Sequence, residues 1–172
     1  MEIKIHLLKK NEVGTIFTGS TAVSDYNQAG GINSFRLDKD KYIPEFKKLV
    51  DIVHNNGANI IMQLVHKGMN TNPKSEVIYA PSSLPIKDQN RYSIEMTLED
   101  INRIENDFAD AALRAKKAGF DGVEIHAGHF YLVSEFLSPL NNKRTDEYGG
   151  TDEKRSRFLA EIIEKVRHKV GE

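Results

Sequence analysis

Apolar positions along this chain fall into two kinds of run that alternate. Short runs dense in β-branched and aliphatic residues are separated by longer runs whose apolar positions recur at helical spacing. Gly14 to Val23 (Gly-Thr-Ile-Phe-Thr-Gly-Ser-Thr-Ala-Val) reads as a buried strand, bounded by Gly14 and by the polar Ser24-Asp25. The polar, glycine-containing stretch from Ser24 to Leu37 reads as a loop. A helix is predicted from about Asp40 to Asn56, with Ile43, Phe46, Val50 and Val53 on one face. Pro44 falls where a first turn tolerates it, and Gly57 supplies the stop.

A second strand is predicted at Asn59-Ile-Ile-Met-Gln-Leu-Val65. From His66 to Met96 the pattern breaks into Gly, Asn, Pro and Ser clusters, a long connection read as a functional loop. Thr97-Leu-Glu-Asp100 is a capping box, and the stripe Ile101, Ile104, Phe108, Ala111, Ala112 and Ala115 runs from it to Gly119. Asp121-Gly-Val-Glu-Ile-His126 reads as a third strand. A last helix begins near Thr151 or Asp152 and carries Phe158, Leu159, Ile162, Ile163 and Val166.

Strand followed by helix, three times over, is the signature of parallel βαβ units, whose functional loops follow the strand C-termini. An open doubly wound sheet and part of an eight-stranded barrel both fit. No G-x-G-x-x-G follows a strand, which lowers the dinucleotide-binding option. Composition narrows the field further. The chain has 172 residues, 24 basic against 25 acidic, so it offers no electrostatic footprint for nucleic acid. It has no cysteine, which excludes disulfides, thiolate metal sites and cysteine nucleophiles. No apolar run approaches the ~20 residues that span a bilayer. The opening MEIKIHLLKKNEVG alternates charged with apolar residues and is not read as a secretory signal, so a cytoplasmic protein is expected.

Polar residues gather where strands hand over to loops: Ser20 and Thr21, Gln63 and His66, Glu124, His126 and His129. His126 and His129, spaced as H-A-G-H with Tyr131 just after, could hold a developing oxyanion beside a phenolic proton donor. They could also begin a metal site, although no third ligand is adjacent, or simply pack at a strand end. Gln63, an amide in an apolar run, either bonds a neighbouring strand end or recognises a ligand edge. His66 reads as a solvated loop residue. In Asn142–Gly150 the glycine pair could cradle a phosphate, but a loop held by Arg144 with Asp146 or Glu147 fits better.

The stretch Ala118-Gly-Phe-Asp-Gly-Val-Glu-Ile-His-Ala-Gly-His-Phe-Tyr-Leu132 continues through Glu135-Phe-Leu-Ser-Pro-Leu and Asn142-Lys-Arg-Thr-Asp-Glu-Tyr-Gly-Gly150. It closely resembles the old yellow enzyme family, the NADH:flavin oxidoreductases related to ene-reductases and 2,4-dienoyl-CoA reductases. Gln63-Leu-Val-His66 and Thr18-Gly-Ser-Thr-Ala-Val23 resemble their family counterparts in the same order. The resemblance implies a (β/α)8 barrel with non-covalent FMN. NAD(P)H would deliver hydride to the flavin, and an alkene conjugated to a carbonyl would receive it. It also implies that His126 and His129 bond the substrate carbonyl oxygen and that Tyr131 donates the proton. Gln63 would contact the polar edge of the flavin ring, and Ser20 would lie against FMN.

A whole barrel takes ~250 residues, and this chain supplies about three βα units, expected as a single partial barrel domain over 1–172. The strands that carry the family's phosphate-binding loops have no counterpart here. Lys67-Gly-Met69 stands where the family usually has an Arg, and Phe130 stands where Gly is common. An isolated segment of barrel wall has two open edges. A homo-oligomer or a companion chain completing the barrel is therefore expected, the alternative being a split or truncated module inactive by itself.

Overall fold

In the computed structural model, which describes residues 13–25, 35–72, 75–87 and 90–171, the expected strands lie side by side and parallel. In chain order the elements are β1 (Thr15–Phe17), β2 (Thr21–Ala22), β3 (Phe35–Arg36), α1 (Ile43–Asn55) and β4 (Asn59–Val65). Then come β5 (Tyr79–Ala80), β6 (Ile94–Glu95), α2 (Leu98–Ala118), β7 (Gly122–Ile125), α3 (Leu132–Leu137) and α4 (Asp152–Val170).

The run Gly14–Val23 is one line of strand interrupted by a bulge. Phe17 pairs with Ile61 and Thr21 with Leu64, so three residues of the first segment face two of β4. Thr18 fills the break: its N–H donates to Ile61 O at 3.0 Å, and its hydroxyl accepts from the Gln63 N–H at 3.0 Å. β4 is central, with β1 and β2 on one side and β7 on the other, and β3 pairs the outer edge of β2. This is the order of consecutive strands in the wall of a (β/α)8 barrel. Most of the Ser24–Leu37 loop and the N-terminal MEIKIHLLKKNE lie outside the described residues.

The helices form where the pattern placed them. Pro44 sits in the first turn of α1, and Thr97 and Asp100 close the capping box of α2 from both sides. Gly119 ends α2 in the left-handed conformation at φ 94°, which a Cβ would disfavour. Thr151 caps α4 by accepting from the Lys154 N–H. Ile60, Met62 and Leu64 of β4 are buried on the face that meets α1 and α2. Phe136 of α3 stacks on Phe158 of α4 at 4.2 Å, joining the third unit to the same core.

The other face of the sheet, which a closed barrel would turn inward, is open. Phe17 is 56% exposed there, and Gln63 and Glu124 lie on the same face of adjacent strands. None of the described helices is long and apolar enough to cross a membrane.

The connection from His66 to Met96 has structure of its own. β5 and β6 form a short parallel pair, and the loop packs on α3 through β5 and the turn at Gly68–Asn70. The Asn142–Gly150 loop is held by Arg144. Its guanidinium makes a bidentate pair with Asp146 and donates to the carbonyls of Pro81 at 3.0 Å and Met96 at 2.6 Å.

Candidate active site

The site is built where β7 leaves the sheet. The His126 N–H donates to Leu64 O at 2.9 Å, so the first histidine still follows the ladder. The backbone then turns sharply: His129 and Phe130 both adopt left-handed φ, 56° and 54°. Two adjacent non-glycine residues in that region are strained, and such strain gathers at functional turns. The turn closes when the Tyr131 N–H donates to Gly128 O at 3.1 Å, and Tyr131 becomes the N-cap residue of α3.

This turn folds the three predicted side chains onto one another. His126 Nε2 lies 3.0 Å from His129 Nδ1, and the Tyr131 ring centroid is 4.9 Å from that of His126 and 6.2 Å from that of His129. The proton positions follow from the backbone. The Gly128 N–H donates to His126 Nδ1 at 3.2 Å, so that nitrogen carries no proton in the neutral ring. Nε2 of His126 is therefore the protonated nitrogen, and it donates to His129 Nδ1. His129 then carries its own proton on Nε2. Burial, and after it the neighbouring His129, lower the pKa of His126, so this neutral arrangement is favoured. The two histidines are thus not equivalent donors. His126 spends its N–H on His129, and His129 presents one that meets no acceptor among the described residues.

Gln63 and Glu124 are opposite each other in the β4–β7 register, and Gln63 Nε2 donates to Glu124 Oε2 at 3.0 Å. Gln63 is half-exposed rather than buried in an apolar run, because its side of the strand faces the open inner side of the sheet. Ser20 lies one residue before the Thr21–Leu64 pair, at the level of Gln63, and is half-buried in the bulge. Among the described residues, no hydrogen bond or ring contact joins Ser20 or Gln63 to the histidine turn.

His66 is a correction: it is buried, not solvated. Its Nδ1 accepts from the Gly68 N–H at 3.2 Å, and burial pushes its pKa down to about 3, so it stays neutral. Its backbone carbonyl accepts from the Leu132 N–H at 2.9 Å, which joins the end of β4 to the start of α3.

Three residues to which the sequence reading gave no site role complete the surroundings. The Lys67 ammonium lies 5.6 Å from the centroid of the Tyr131 ring, placing a cation beside the phenol. Asn70 donates to Phe130 O. Glu135 of α3, 1% exposed, accepts from the Met69 N–H at 2.8 Å, and burial pushes its carboxyl up to about 8. A Cβ on Gly68 would stand 2.3 Å from a Glu135 carboxyl oxygen, so glycine is needed there. The signal for Lys67 was its place in the Lys67-Gly-Met69 stretch that replaces the family's usual Arg, and that for Asn70 only its place in the loop after β4. A carboxylate in the apolar stretch Leu132–Leu137 was the signal for Glu135. Among the described residues, no three His, Cys, Asp or Glu side chains form a metal-binding group.

Comparison with known proteins places the chain as a whole. The profile of the NADH:flavin oxidoreductase / NADH oxidase family matches residues 5–172. The NADPH dehydrogenase of Bacillus velezensis is 46% identical over 158 residues, covering 91% of this chain and 46% of that protein. The NADH oxidase of Thermoanaerobacter brockii is 42% identical over 164 residues, covering 93% of this chain and 25% of that protein. Among solved structures, an Old Yellow Enzyme from a Pichia species superimposes with a TM-score of 0.84 at 34% identity, covering 92% of this chain and 44% of that one. This chain therefore spans less than half the length of these relatives, and its strands are a segment of their barrel wall. It belongs to the NADH:flavin oxidoreductase / NADH oxidase family.

Proposed function

We propose that residues 1–172 act as one barrel segment that supplies the carbonyl-binding and proton-donating part of an FMN-dependent NAD(P)H oxidoreductase. Its substrate class is an alkene conjugated to a carbonyl. The observation that carries the reading is the convergence of His126, His129 and Tyr131 on a single strained turn at the end of β7.

The free Nε2–H of His129 suits donation to a substrate carbonyl oxygen, where negative charge builds as the alkene accepts hydride. His126 orients that donor through its own hydrogen bond. The Tyr131 phenol makes no hydrogen bond among the described residues and is available to give its proton to the α-carbon, with Lys67 beside the ring. Gln63 fits a flavin's polar edge: its carboxamide can donate and accept at once, and among the described residues only one of its bonds is used, to Glu124. Ser20, at the same level of the sheet, would lie against the same ligand. When bound, FMN supplies the hydride, which it takes from NAD(P)H.

The exposed inner face, with Phe17 on it, supports a second element of the reading: the segment needs the remaining strands in order to turn over substrate. A chimera tests both. In it, this chain replaces the matched residues of the Bacillus velezensis NADPH dehydrogenase. The chimera is expected to keep a yellow flavin band through gel filtration, and Gln63→Ala is expected to weaken flavin retention. A colourless chimera, or one whose flavin binding ignores Gln63, overturns the reading.

A further inference from the structure

We propose that Lys67 is the anchor for a carboxylate on the substrate, a group separate from the carbonyl that activates the alkene. The inference rests on the reading of the histidine turn as an enone site, and it narrows the substrate class to unsaturated oxo acids.

The backbone of Lys67 is held on both sides. His66 before it is 3% exposed and accepts from the Gly68 N–H through Nδ1 at 3.2 Å. Gly68 after it packs so closely on Glu135 that a Cβ has no room. The Lys67 carbonyl accepts from the Asn70 N–H at 3.0 Å, and the Met69 N–H donates to Glu135 at 2.8 Å. A backbone fixed in this way delivers the half-buried side chain to the site, where the ammonium stands 5.6 Å from the centroid of the Tyr131 ring. Resting on a ring, an ammonium has lost part of its hydration, which strengthens its attraction for an incoming anion.

The fold gives this charge no counter-ion. Among the described residues, the Lys67 ammonium makes no ion pair and no hydrogen bond. Glu135, the carboxyl packed against the same turn, holds its proton up to about pH 8, and Glu124 accepts from Gln63. The Gly68–Asn70 turn adds no second basic residue. One ammonium balances one negative charge, which a carboxylate carries and a phosphate monoester exceeds. The Tyr131 ring is 6.2 Å from that of His129 and 5.6 Å from Lys67 Nζ. One small molecule bridges such spans, with its carbonyl at His129, its alkene at the phenol and its carboxylate at Lys67.

Two probes share one enone and differ in charge: trans-β-acetylacrylate and its methyl ester. The chain has no cysteine to add to the alkene. Each is titrated into the full chain without flavin and followed by the Tyr131 and His129 ring resonances. The acid should bind about fivefold or more tightly than the ester. That preference should shrink as NaCl is raised from about 0.05 to about 0.5 M. Lys67→Met should abolish it, and Lys67→Arg, which keeps the charge, should retain it. The proposal falls if acid and ester bind alike, if neither binds, or if the preference survives Lys67→Met. Turnover by the chimera separates this failure from failure of the site. A chimera that reduces the ester but shows no lower KM for the acid loses the anchor alone. One that reduces neither compound removes the enone reading, and the anchor with it.

Discussion

The side-chain amide of Asn70 donates to the carbonyl oxygen of Phe130 across 2.6 Å, tying the loop after β4 to the left-handed turn that carries His129. Together with the bond from Leu132 N–H to His66 O, it braces the turn from outside the sheet. Asn70→Ala removes the only donor to that carbonyl among the hydrogen bonds described. The bond is exposed, so the expected loss is about 1 kcal/mol, read as a lower urea midpoint at unchanged slope. The His129 imidazole resonances should broaden or shift as the turn loosens.

Phe130 is 65% exposed at φ 54°, in a region where a side chain costs about 1–2 kcal/mol. Glycine would remove that cost and lose some entropy in exchange, about 0.5–1 kcal/mol. Phe130→Gly should therefore be neutral to stabilising by up to roughly 1 kcal/mol in urea unfolding, because little apolar contact is lost. A clear destabilisation would mean that the ring packs on something in solution.

Glu135 gives a pH dependence of known sign. Its carboxyl is raised from an ordinary value near 4.5 to about 8, so the folded state holds a proton that the unfolded chain releases. That contribution is fully present below about pH 4.5 and is lost as the pH rises through 8. His66 works in the opposite sense at lower pH. Its folded value of about 3 against 6.5 makes stability fall as acid is added below 6.5. Burial also raises the Glu105 carboxyl, to about 7, which adds a slope of the same sign that fades above that pH. From pH 7 to 8 the Glu135 slope dominates, and Glu135→Gln should flatten it while keeping the bond to the Met69 N–H. The check is urea stability measured across that range for both proteins.

The inequality of the two histidines makes a kinetic prediction. His129→Ala in the chimera removes the free donor, and loss of one oxyanion donor costs ~2.7–4 kcal/mol in the step it serves. Enone reduction by pre-reduced chimera should slow accordingly. His126→Ala should slow the same step while leaving His129 able to bind the carbonyl, so addition of free imidazole should restore part of the rate.

Much of the fold was legible because helices and their caps are local. The Thr97–Asp100 box, Gly119 and the stripe on α2 specify that helix without reference to anything distant. The Gly14–Val23 run looked continuous because its bulge is set by the register on β4 and by the Thr18 hydroxyl, neither of which periodicity records. α3 has six residues, too few for a helical period to show. His66 read as solvated because its burial depends on the Gly68–Asn70 turn and on α3 folding over it. The residues of the histidine turn were visible, but their unequal donor roles depend on two left-handed residues and on one backbone N–H. Gln63 was visible too; its exposure came from an inner face that only the full barrel would cover.

The most direct test separates the two halves of the proposed turnover in the chimera, with Tyr131 and with Tyr131→Phe. In the proposed turnover, flavin reduction by NAD(P)H needs no proton from the phenol, whereas alkene reduction does. The account predicts that Tyr131→Phe leaves flavin reduction within about twofold and slows reoxidation by an enone roughly a hundredfold or more. Equal slowing of both steps, or no slowing of the second, would contradict it.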